Sequence, residues 1–271
     1  MIDRSQLGVV TNCWQHQISG SQPLEDLIAR AIDDFGFQHF ELRQGSLGAF
    51  EDSNRVPQAS LLRNLAHRFP QTHFDLAVEL PVFSAPIDRD DDRLKQFVDA
   101  AGFCAHLRVV DLMPLHQSSL SDDWLEMVAA NLCGLASDLR DGVLSVEHSF
   151  QPWSLFWPAI ERVRQEAGSS VRLCFDPTNL WLTDDGAEAV QITSQVPIES
   201  LSMVHLKQRS GSTPLTRFDS GDVDWPPLLT SLLDRNYDGP FLFEIAPSES
   251  VWSELAASVD YLDKLLAGIK R

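Results

Sequence analysis

Residues 171–176, Val171-Arg-Leu-Cys-Phe-Asp176, decide the fold, because they form a short apolar run that ends in an acid. A near-continuous apolar run of this length predicts a strand that is buried on both faces. Strands of that kind pair in parallel, with helices packed outside the sheet. The stretch therefore predicts one strand of an α/β fold, and the runs before and after it decide which α/β fold.

Similar β-rich runs recur at intervals of roughly 28 to 37 residues, each followed by a segment with helical periodicity. The predicted strands are Leu7–Cys13, Gln38–Arg43, Thr72–Val78, His106–Leu112, Val143–His148, Val171–Asp176, Met203–Lys207 and Pro240–Ile245. Eight β/α units in 271 residues predict a single (β/α)8 TIM barrel domain over residues 1–271. The alternative, a doubly wound open sheet, usually has a glycine-rich loop after its first strand, where this chain has Trp14-Gln15-His16.

The helix ends are also marked in the sequence. Ser21, followed by Pro23 and two acids, predicts the start of the first helix, and Gly36 predicts a left-handed end. Ser121-Asp122-Asp123 predicts the start of another helix in the same way. Periodic apolar residues predict further helices at Pro57–Phe69, Asp88–Ala101, Trp157–Ala167, Asp184–Ile192, Pro226–Asn236 and Ser248–Leu266.

The charge, the apolar runs and the cysteines of the chain indicate where the protein is located and which classes of partner it can bind. Acids outnumber bases 39 to 21, giving a net charge of −18, which argues against a nucleic-acid partner. No apolar run approaches the roughly 20 residues of a membrane helix, and no targeting segment is recognised. Four scattered cysteines predict reduced thiols. The sequence thus predicts a cytoplasmic protein, with no membrane or nucleic-acid partner and with a homo-oligomer left open.

The last four predicted strands each end in a residue that can bind a metal: Glu147, Asp176, His205 and Glu244. A lone acid at a strand end is more often a helix cap or a salt-bridge partner. Four in succession differ, because adjacent barrel strands converge on one point, where three carboxylates repel unless a cation neutralises them. Oxygen-rich ligation with one imidazole suits Mn²⁺, Mg²⁺ or Co²⁺, and Zn²⁺ is also a candidate.

Six stretches also carry a family resemblance, in order and in spacing. They are Gly36-Phe-Gln-His-Phe-Glu-Leu-Arg43, Leu144-Ser-Val-Glu-His148, Cys174-Phe-Asp-Pro-Thr-Asn179, Met203-Val-His-Leu-Lys207, Gly221-Asp-Val-Asp-Trp225 and Gly239-Pro-Phe-Leu-Phe-Glu244. The chain resembles the xylose isomerase-like TIM barrels: sugar isomerases and epimerases, inosose dehydratases and the endonuclease IV branch. The resemblance implies that Glu147 and Glu244 both bind one divalent metal ion and move protons, while Asp176 and His205 complete the metal shell.

Departures from the family pattern indicate how many metal ions to expect and which branch of the family the chain resembles. Relatives of endonuclease IV bind three metals with additional histidines, where this chain has Asn179 and Asp222-Val-Asp224. The ketose 3-epimerase branch usually has a histidine in place of Asn179 and an acid shortly after Glu147, where Gln151-Pro152-Trp153 stands here. One metal ion is therefore expected, and the resemblance to the ketose 3-epimerases is partial.

Other polar and aromatic residues near the strand ends are candidate substrate contacts. They are Trp14, Glu41, Arg43, His148, Asn179, Lys207 and Arg209. Lys207 and Arg209 are expected to hold a carboxylate or phosphate, or else to lie in a solvated loop. Glu41 and Arg43 are expected to bind substrate hydroxyls or to pair with each other.

Trp14 and His148 have structural alternatives as well. Trp14 is expected to form an apolar wall beside the substrate or to pack at the rim of the barrel. His148 is either a substrate contact or a structural residue.

Three hypotheses for function follow. The first is a metal-dependent isomerase or epimerase of a small carbohydrate-like substrate (a ketose, sugar acid or polyol), working through an enediolate. The second is a dehydratase of the inosose or dehydroshikimate type, because the same enolate can expel a β-hydroxyl. The third is a metal-binding scaffold without catalysis, against which the presence of all four ligands counts.

Overall fold

The computed structural model describes residues 2–115, 122–140 and 142–269, and within them eight parallel strands close into a barrel. The strands of the barrel are β1 (Leu7–Val10), β2 (His39–Arg43), β3 (His73–Glu79), β4 (His106–Val110), β5 (Val143–Glu147), β6 (Val171–Phe175), β7 (Leu201–Leu206) and β10 (Phe241–Phe243). Each pairs with its neighbours in the order β1-β10-β7-β6-β5-β4-β3-β2. The fold predicted from the sequence, a single TIM barrel, is confirmed.

Nine α-helices lie along the described chain, and the long ones pack outside the barrel. They are α1 (Gln15–Ser19), α2 (Leu24–Phe35), α3 (Ala59–Arg68), α4 (Asp92–Ala101), α5 (Asp122–Asp138), α6 (Trp153–Ala167), α7 (Ala189–Gln195), α8 (Trp225–Asp234) and α9 (Val251–Ile269). A two-residue hairpin, β8 (Arg209–Ser210) with β9 (Thr213–Pro214), follows β7. No described helix is both long enough and apolar enough to cross a membrane.

Two helix ends test the predicted signals. Gly36 has the left-handed conformation expected of a helix end, with φ of +72°. Ser21 does not cap α2, because it has φ of +66° and its N–H donates to the Ile18 carbonyl at the end of the preceding turn. The first turn of α2 follows Pro23 instead. The predicted start at Ser121 lies outside the described residues.

The predicted C-terminal ends lie one to three residues too far along on six of the eight barrel strands, all except β2 and β3, and β1 and β6 show the physical reason. β1 ends at Val10 because the Thr11 hydroxyl accepts the Arg43 N–H at 2.9 Å, which takes the donor that would have continued the β1–β2 ladder. Residues Thr11–Trp14 form a 3-10 turn instead. Asp176 lies just beyond β6, where its side chain accepts the Thr178 N–H at 2.8 Å and caps the next turn.

The alternation of strand side chains divides the core in two. Residues such as Val9, Phe40 and Phe243 face outward and join the large apolar core between strands and helices. Their neighbours in sequence face into the barrel, where Val10, Cys174, Met203 and Leu242 form a small buried apolar cluster. The same inward register carries charged side chains toward the carboxyl ends of the strands, and these form the candidate site.

Candidate metal centre

The inward register brings the four predicted ligands together. Glu147 ends β5, Asp176 follows β6, His205 lies in β7 and Glu244 follows β10, and all four side chains are buried. One ligand atom from each lies within 4.8 Å of the corresponding atoms of the other three. This is a spacing at which a single ion could contact all four groups.

His205 supplies the observation that tests whether these residues fit a metal. Its Nδ1 is buried and makes no hydrogen bond to any described residue. That atom lies 3.4 Å from Glu244 Oε2 and 3.6 Å from Glu147 Oε1. An unpaired imidazole nitrogen between two carboxylates is a donor set that suits a divalent ion, so the residues fit one.

The other ring nitrogen of His205 is held in place. Nε2 lies 3.3 Å from Glu41 Oε2 and 3.3 Å from the Cys174 sulfur. A carboxylate on the far nitrogen is the usual way in which a metal-binding histidine is oriented. Burial alone would lower the pKa of His205, but the surrounding groups, Glu41 and Glu147 among them, raise it well above its usual value.

Arg108 is a central residue that the sequence analysis missed. It is fully buried, and its guanidinium donates to Glu41 Oε1 from Nη2 at 2.6 Å and from Nε at 3.2 Å. Nη1 donates to Glu147 Oε2. Burial alone would raise the pKa of Glu41, but Arg108 and His205 outweigh it and lower that pKa to about 2. Arg108 therefore connects a metal-ligand candidate to the group that orients His205.

Two further cations contact the ligand set directly. Lys207 Nζ donates to Glu244 Oε2 at 2.9 Å and to Asp176 Oδ2 at 3.3 Å. Arg43 Nη1 donates to Glu244 Oε1 at 2.6 Å, and Asn12 Nδ2 donates to the same oxygen at 3.1 Å.

The cations move the carboxylate pKa values in different directions. Burial would raise the pKa of Glu244, but Lys207 chiefly, with His205 and Arg43, lowers it well below the usual range. Arg108 lowers the pKa of Glu147 against the same effect of burial. The pKa of Asp176 is raised by burial, which Lys207 only partly offsets.

These contacts correct one step of the sequence argument. The sequence predicts that the strand-end acids repel one another unless a bound cation neutralises them. Instead, three side-chain cations already lie against the buried acids: Arg43, Arg108 and Lys207. Lys207 lines the cavity, as a substrate contact would, but its ammonium is paired with two of the candidate ligands.

Glu41 and Arg43 do not pair with each other, as one alternative had it. Glu41 is fully buried and accepts from Arg108, beneath the cavity rather than on its wall, so the expected substrate contact by Glu41 is not supported. Arg43 pairs with Glu244 and lines the cavity. Asn179 also lines it, and donates to Glu147 Oε1 at 3.2 Å and to the His148 carbonyl at 2.9 Å.

Trp14 and His148 both make packing contacts with other aromatic side chains. Trp14 is fully buried in the outer core and stacks on Trp252, with ring centroids 5.8 Å apart. The His148 ring packs edge-on against Trp153 and Phe156, and its Nε2 lies 2.6 Å from the Gln151 carbonyl. Neither side chain lines either cavity, and the structural alternative fits both residues.

A cavity of about 240 Å³ opens on the centre. Its walls include Glu147 and Glu244 together with Asn179, Lys207 and Arg209. A second cavity of about 540 Å³ shares Arg43 with the first and extends over the ends of β1 to β4. The first cavity is the size of a small metabolite and has Glu147 and Glu244 in its wall.

Comparisons with known proteins agree on the fold. A family model described as a xylose isomerase-like TIM barrel matches residues 3–264. The chain is similar to a xylose isomerase domain containing protein from Salmonella typhimurium, with a TM-score of 0.68 and 14% identity over 100% of this chain and 99% of that one.

Two further solved structures are similar in the same way. A D-allulose 3-epimerase from Methylomonas sp. matches with a TM-score of 0.63 and 17% identity, over 100% of this chain and 99% of that one. A xylose isomerase-like TIM barrel protein from Mycobacterium smegmatis, in complex with magnesium, matches with a TM-score of 0.59 and 14% identity, over 96% and 89% of the two chains. A search of curated protein sequences found no match.

Proposed function

The chain belongs to the xylose isomerase-like TIM barrel family, and we propose that it is a divalent-metal-dependent isomerase or epimerase of a small sugar, sugar acid or related polyol. The observation that carries the proposal is the unpaired Nδ1 of His205, which faces two buried glutamates on the wall of a small cavity. The epimerase among the similar structures shares only the fold at its level of identity, so the reaction class rests on the site itself.

The residues that would hold the ion are Glu147, Asp176, His205 and Glu244, with Mn²⁺, Mg²⁺, Co²⁺ or Zn²⁺ as candidates. When bound, a divalent ion would polarise a substrate carbonyl and make the neighbouring C–H more acidic. Glu41 would keep the His205 ring oriented by its contact with Nε2. His205 must be neutral at Nδ1 to act as a ligand, so ion binding would release a proton.

The two glutamates are suited to move the proton. The pKa of each is lowered by neighbouring cations, so both are ionised at neutral pH, which is the state a base requires. One of them would take the proton from the carbon beside the carbonyl, leaving a substrate enediolate. The same glutamate, or the other one, would return a proton at a different position or on the opposite face.

Hydrogen bonds to both oxygens of each glutamate fix its carboxylate. Arg108 holds one oxygen of Glu147, and Asn179 lies on the other. Arg43 holds one oxygen of Glu244, and Lys207 the other. Held in this way, both bases keep their place with little loss of freedom when the substrate binds.

Hydrogen exchange tests the proposal directly. The protein would be loaded with Mn²⁺, incubated in D₂O with a panel of ketoses, sugar acids and keto-inositols, and the mixtures read by NMR. We expect deuterium on the carbon next to the carbonyl without loss of water. Glu147→Gln and Glu244→Gln should each lower turnover by at least about a hundredfold, because an amide cannot accept the proton. A conjugated enone or deoxy-diketone product would favour the dehydratase alternative instead.

Glu249→Gln is the matched control, because Glu249 is an exposed acid on the loop that follows Glu244. It should retain full exchange. Metal content must be measured in every variant by elemental analysis, so that a lost base is distinguished from a lost ion. A folded protein that takes up no divalent ion would contradict the proposal.

A further inference from the structure

Arg209 is the cation of the site that the proposed reaction leaves without a role. It lies in the β8–β9 hairpin, it is only 5% exposed, and it lines the same 240 Å³ cavity as Glu147 and Glu244. A buried arginine on the wall of a substrate-sized cavity requires a counter-charge. The question is therefore which group supplies it.

The three cations that contact the buried acids each have a carboxylate partner. Arg43, Arg108 and Lys207 all form ion pairs with buried acids. Within the described part of the chain, Arg209 forms no ion pair, and its hydrogen bonds go to neutral carbonyls. Nε donates to Gly211 O at 2.6 Å and Nη1 to Thr178 O at 3.3 Å.

Those two bonds leave most of the guanidinium free. A guanidinium has five N–H donors, so three remain unused on Arg209, including both on Nη2. Burial lowers the pKa of Arg209, and Asp176 and Asp222 offset this only in part. The charge is therefore incompletely compensated within the protein, and the remaining N–H groups on Nη1 and Nη2 are available to bind the oxygens of a carboxylate or phosphate.

The hairpin that carries Arg209 is anchored at its base, although residues 210–214 are exposed. The Gln208 side chain donates to the Val223 carbonyl at 2.8 Å, and Asp222 accepts the Gly211 N–H at 2.6 Å. Gly221, with φ of +158°, packs closely against the Gln208 side chain, because a Cβ at this position would lie only 2.3 Å from Gln208 Oε1. The Gly221-Asp-Val-Asp-Trp225 motif thus anchors the segment that positions the guanidinium.

We propose that Arg209 binds an anionic group of the substrate, so that the substrate is a small sugar acid or sugar phosphate rather than a neutral sugar. This assignment rests on the proposed function for the identity of the cavity as the substrate site. The cavity volume suits a compact molecule whose charged end reaches Arg209 while its carbonyl end faces the two glutamates. The hydroxyls of Ser149 and Ser212 line the same cavity and can donate to the remaining oxygens of the anion.

Matched ligands test the assignment by equilibrium binding, which needs no turnover. Isothermal titration of the Mn²⁺-loaded protein would compare D-fructose, D-fructose 6-phosphate and 5-keto-D-gluconate, a neutral, a phosphorylated and a carboxylated ketose. We expect at least one anionic ligand to bind about tenfold to a hundredfold more tightly than D-fructose, the range for a charge-assisted contact. Whichever anionic ligand has the advantage identifies the anion as phosphate or carboxylate.

Substitutions then assign the advantage to Arg209. Arg209→Gln should abolish the preference for the anion while changing D-fructose affinity less than about threefold, a difference below 1 kcal/mol. Arg209→Lys, which keeps the charge but loses the planar fork, should retain part of the preference. The control Arg217→Gln removes an exposed arginine that pairs with Asp219 and should change nothing.

Several results would overturn the assignment. They are equal affinity for neutral and anionic ligands, no binding of either anion, or an anion preference that survives in Arg209→Gln. If Arg209→Gln fails to fold, an unchanged preference in Arg209→Lys counts against the assignment in the same way. A clear anion preference without any hydrogen exchange in D₂O would contradict the proposed reaction and leave the role of Arg209 standing.

Discussion

The two halves of the barrel contribute opposite chemistry to one centre. Strands β5, β6, β7 and β10 end in the ligand set of three carboxylates and one imidazole. Strands β2 and β4 supply Arg43 and Arg108. The Arg43 guanidinium contacts Glu244, which follows β10, two positions along the sheet, and the Arg108 guanidinium contacts Glu147 on the neighbouring strand. The half that could bind a cation is thus tied by ion pairs to a half that supplies cations.

The pairing of an acid-bearing half with a cation-bearing half explains how the buried acids can be stable in the folded protein without a bound metal ion. Four buried acids (Glu41, Glu147, Asp176, Glu244) lie among three side-chain cations (Arg43, Arg108, Lys207), so most of the repulsion is compensated within the protein. Affinity for a metal ion then depends on a competition. An incoming ion gains the unpaired nitrogen of His205 but must share Asp176 and Glu244 with Lys207.

The strongest way to break this arrangement is Arg108→Met. The substitution leaves Glu41 and Glu147 buried without their shared cation, and removing one partner of a buried pair typically costs about 3–5 kcal/mol. We expect a loss of that size in the free energy of unfolding at neutral pH, measured by urea denaturation with circular dichroism.

The matched control for Arg108→Met is Arg89→Met, because Arg89 forms an ion pair with Asp138 on the surface. An exposed pair of this kind contributes about 1 kcal/mol or less. If the two variants lose the same stability, the bridge between the halves does not stabilise the barrel.

The acid-bearing half could be predicted from the sequence, and the basic half only in part. Glu147 and Glu244 directly follow apolar runs, and the carboxyl ends of parallel strands meet at one rim, so their convergence follows from the fold. Arg108 lies inside such a run, between Leu107 and Val109, where no strand end draws attention to it. The signal was nevertheless present, since a charge in a doubly covered strand needs a buried partner.

Residues beyond the strand ends were harder to place. The alternation of side chains predicts direction only within a strand, and Trp14 belongs to a 3-10 turn that directs it into the outer core. His148 follows the last residue of β5 and turns toward Trp153 and Phe156. Glu41 faces into the barrel, as its position in β2 predicts. Its carboxylate accepts hydrogen bonds from Arg108, which lies on a strand two positions along the sheet, and this long-range contact could not be predicted from the sequence near Glu41.

Lys207→Met tests the one cation of the three that lies in the acid-bearing half, where it follows β7 and pairs with Asp176 and Glu244. Without the ammonium, Asp176 and Glu244 are freed for an incoming ion, and their repulsion increases its attraction. We expect affinity for Mn²⁺ to rise about tenfold, equivalent to about 1.4 kcal/mol, by isothermal titration. Lys264→Met, on the exposed face of α9, is the control and should leave affinity unchanged. A fall in affinity on removing Lys207 would show that the lysine supports the ion rather than competes with it.

The smallest expected effect lies at the opposite end of the barrel, where His39 begins β2 and stacks on His73, with ring centroids 4.7 Å apart. Burial lowers the pKa of His39 to about 4, with His73 and His106 adding to the shift and Asp75 opposing it. An unfolded histidine titrates near 6.5, so between pH 6.5 and 4 the unfolded chain binds the proton more readily, and stability falls as the pH falls through that window. After allowance for partial exposure, we expect His39 to account for a loss of about 1 kcal/mol, and His39→Gln to flatten the curve by that amount in urea denaturation at pH 7, 5.5 and 4. His67→Gln, on the exposed side of α3, should keep the parent slope. If His39→Gln has the same dependence of unfolding free energy on pH as the parent, other groups cause that dependence. The charged groups at the carboxyl end of the barrel would then be the next to test.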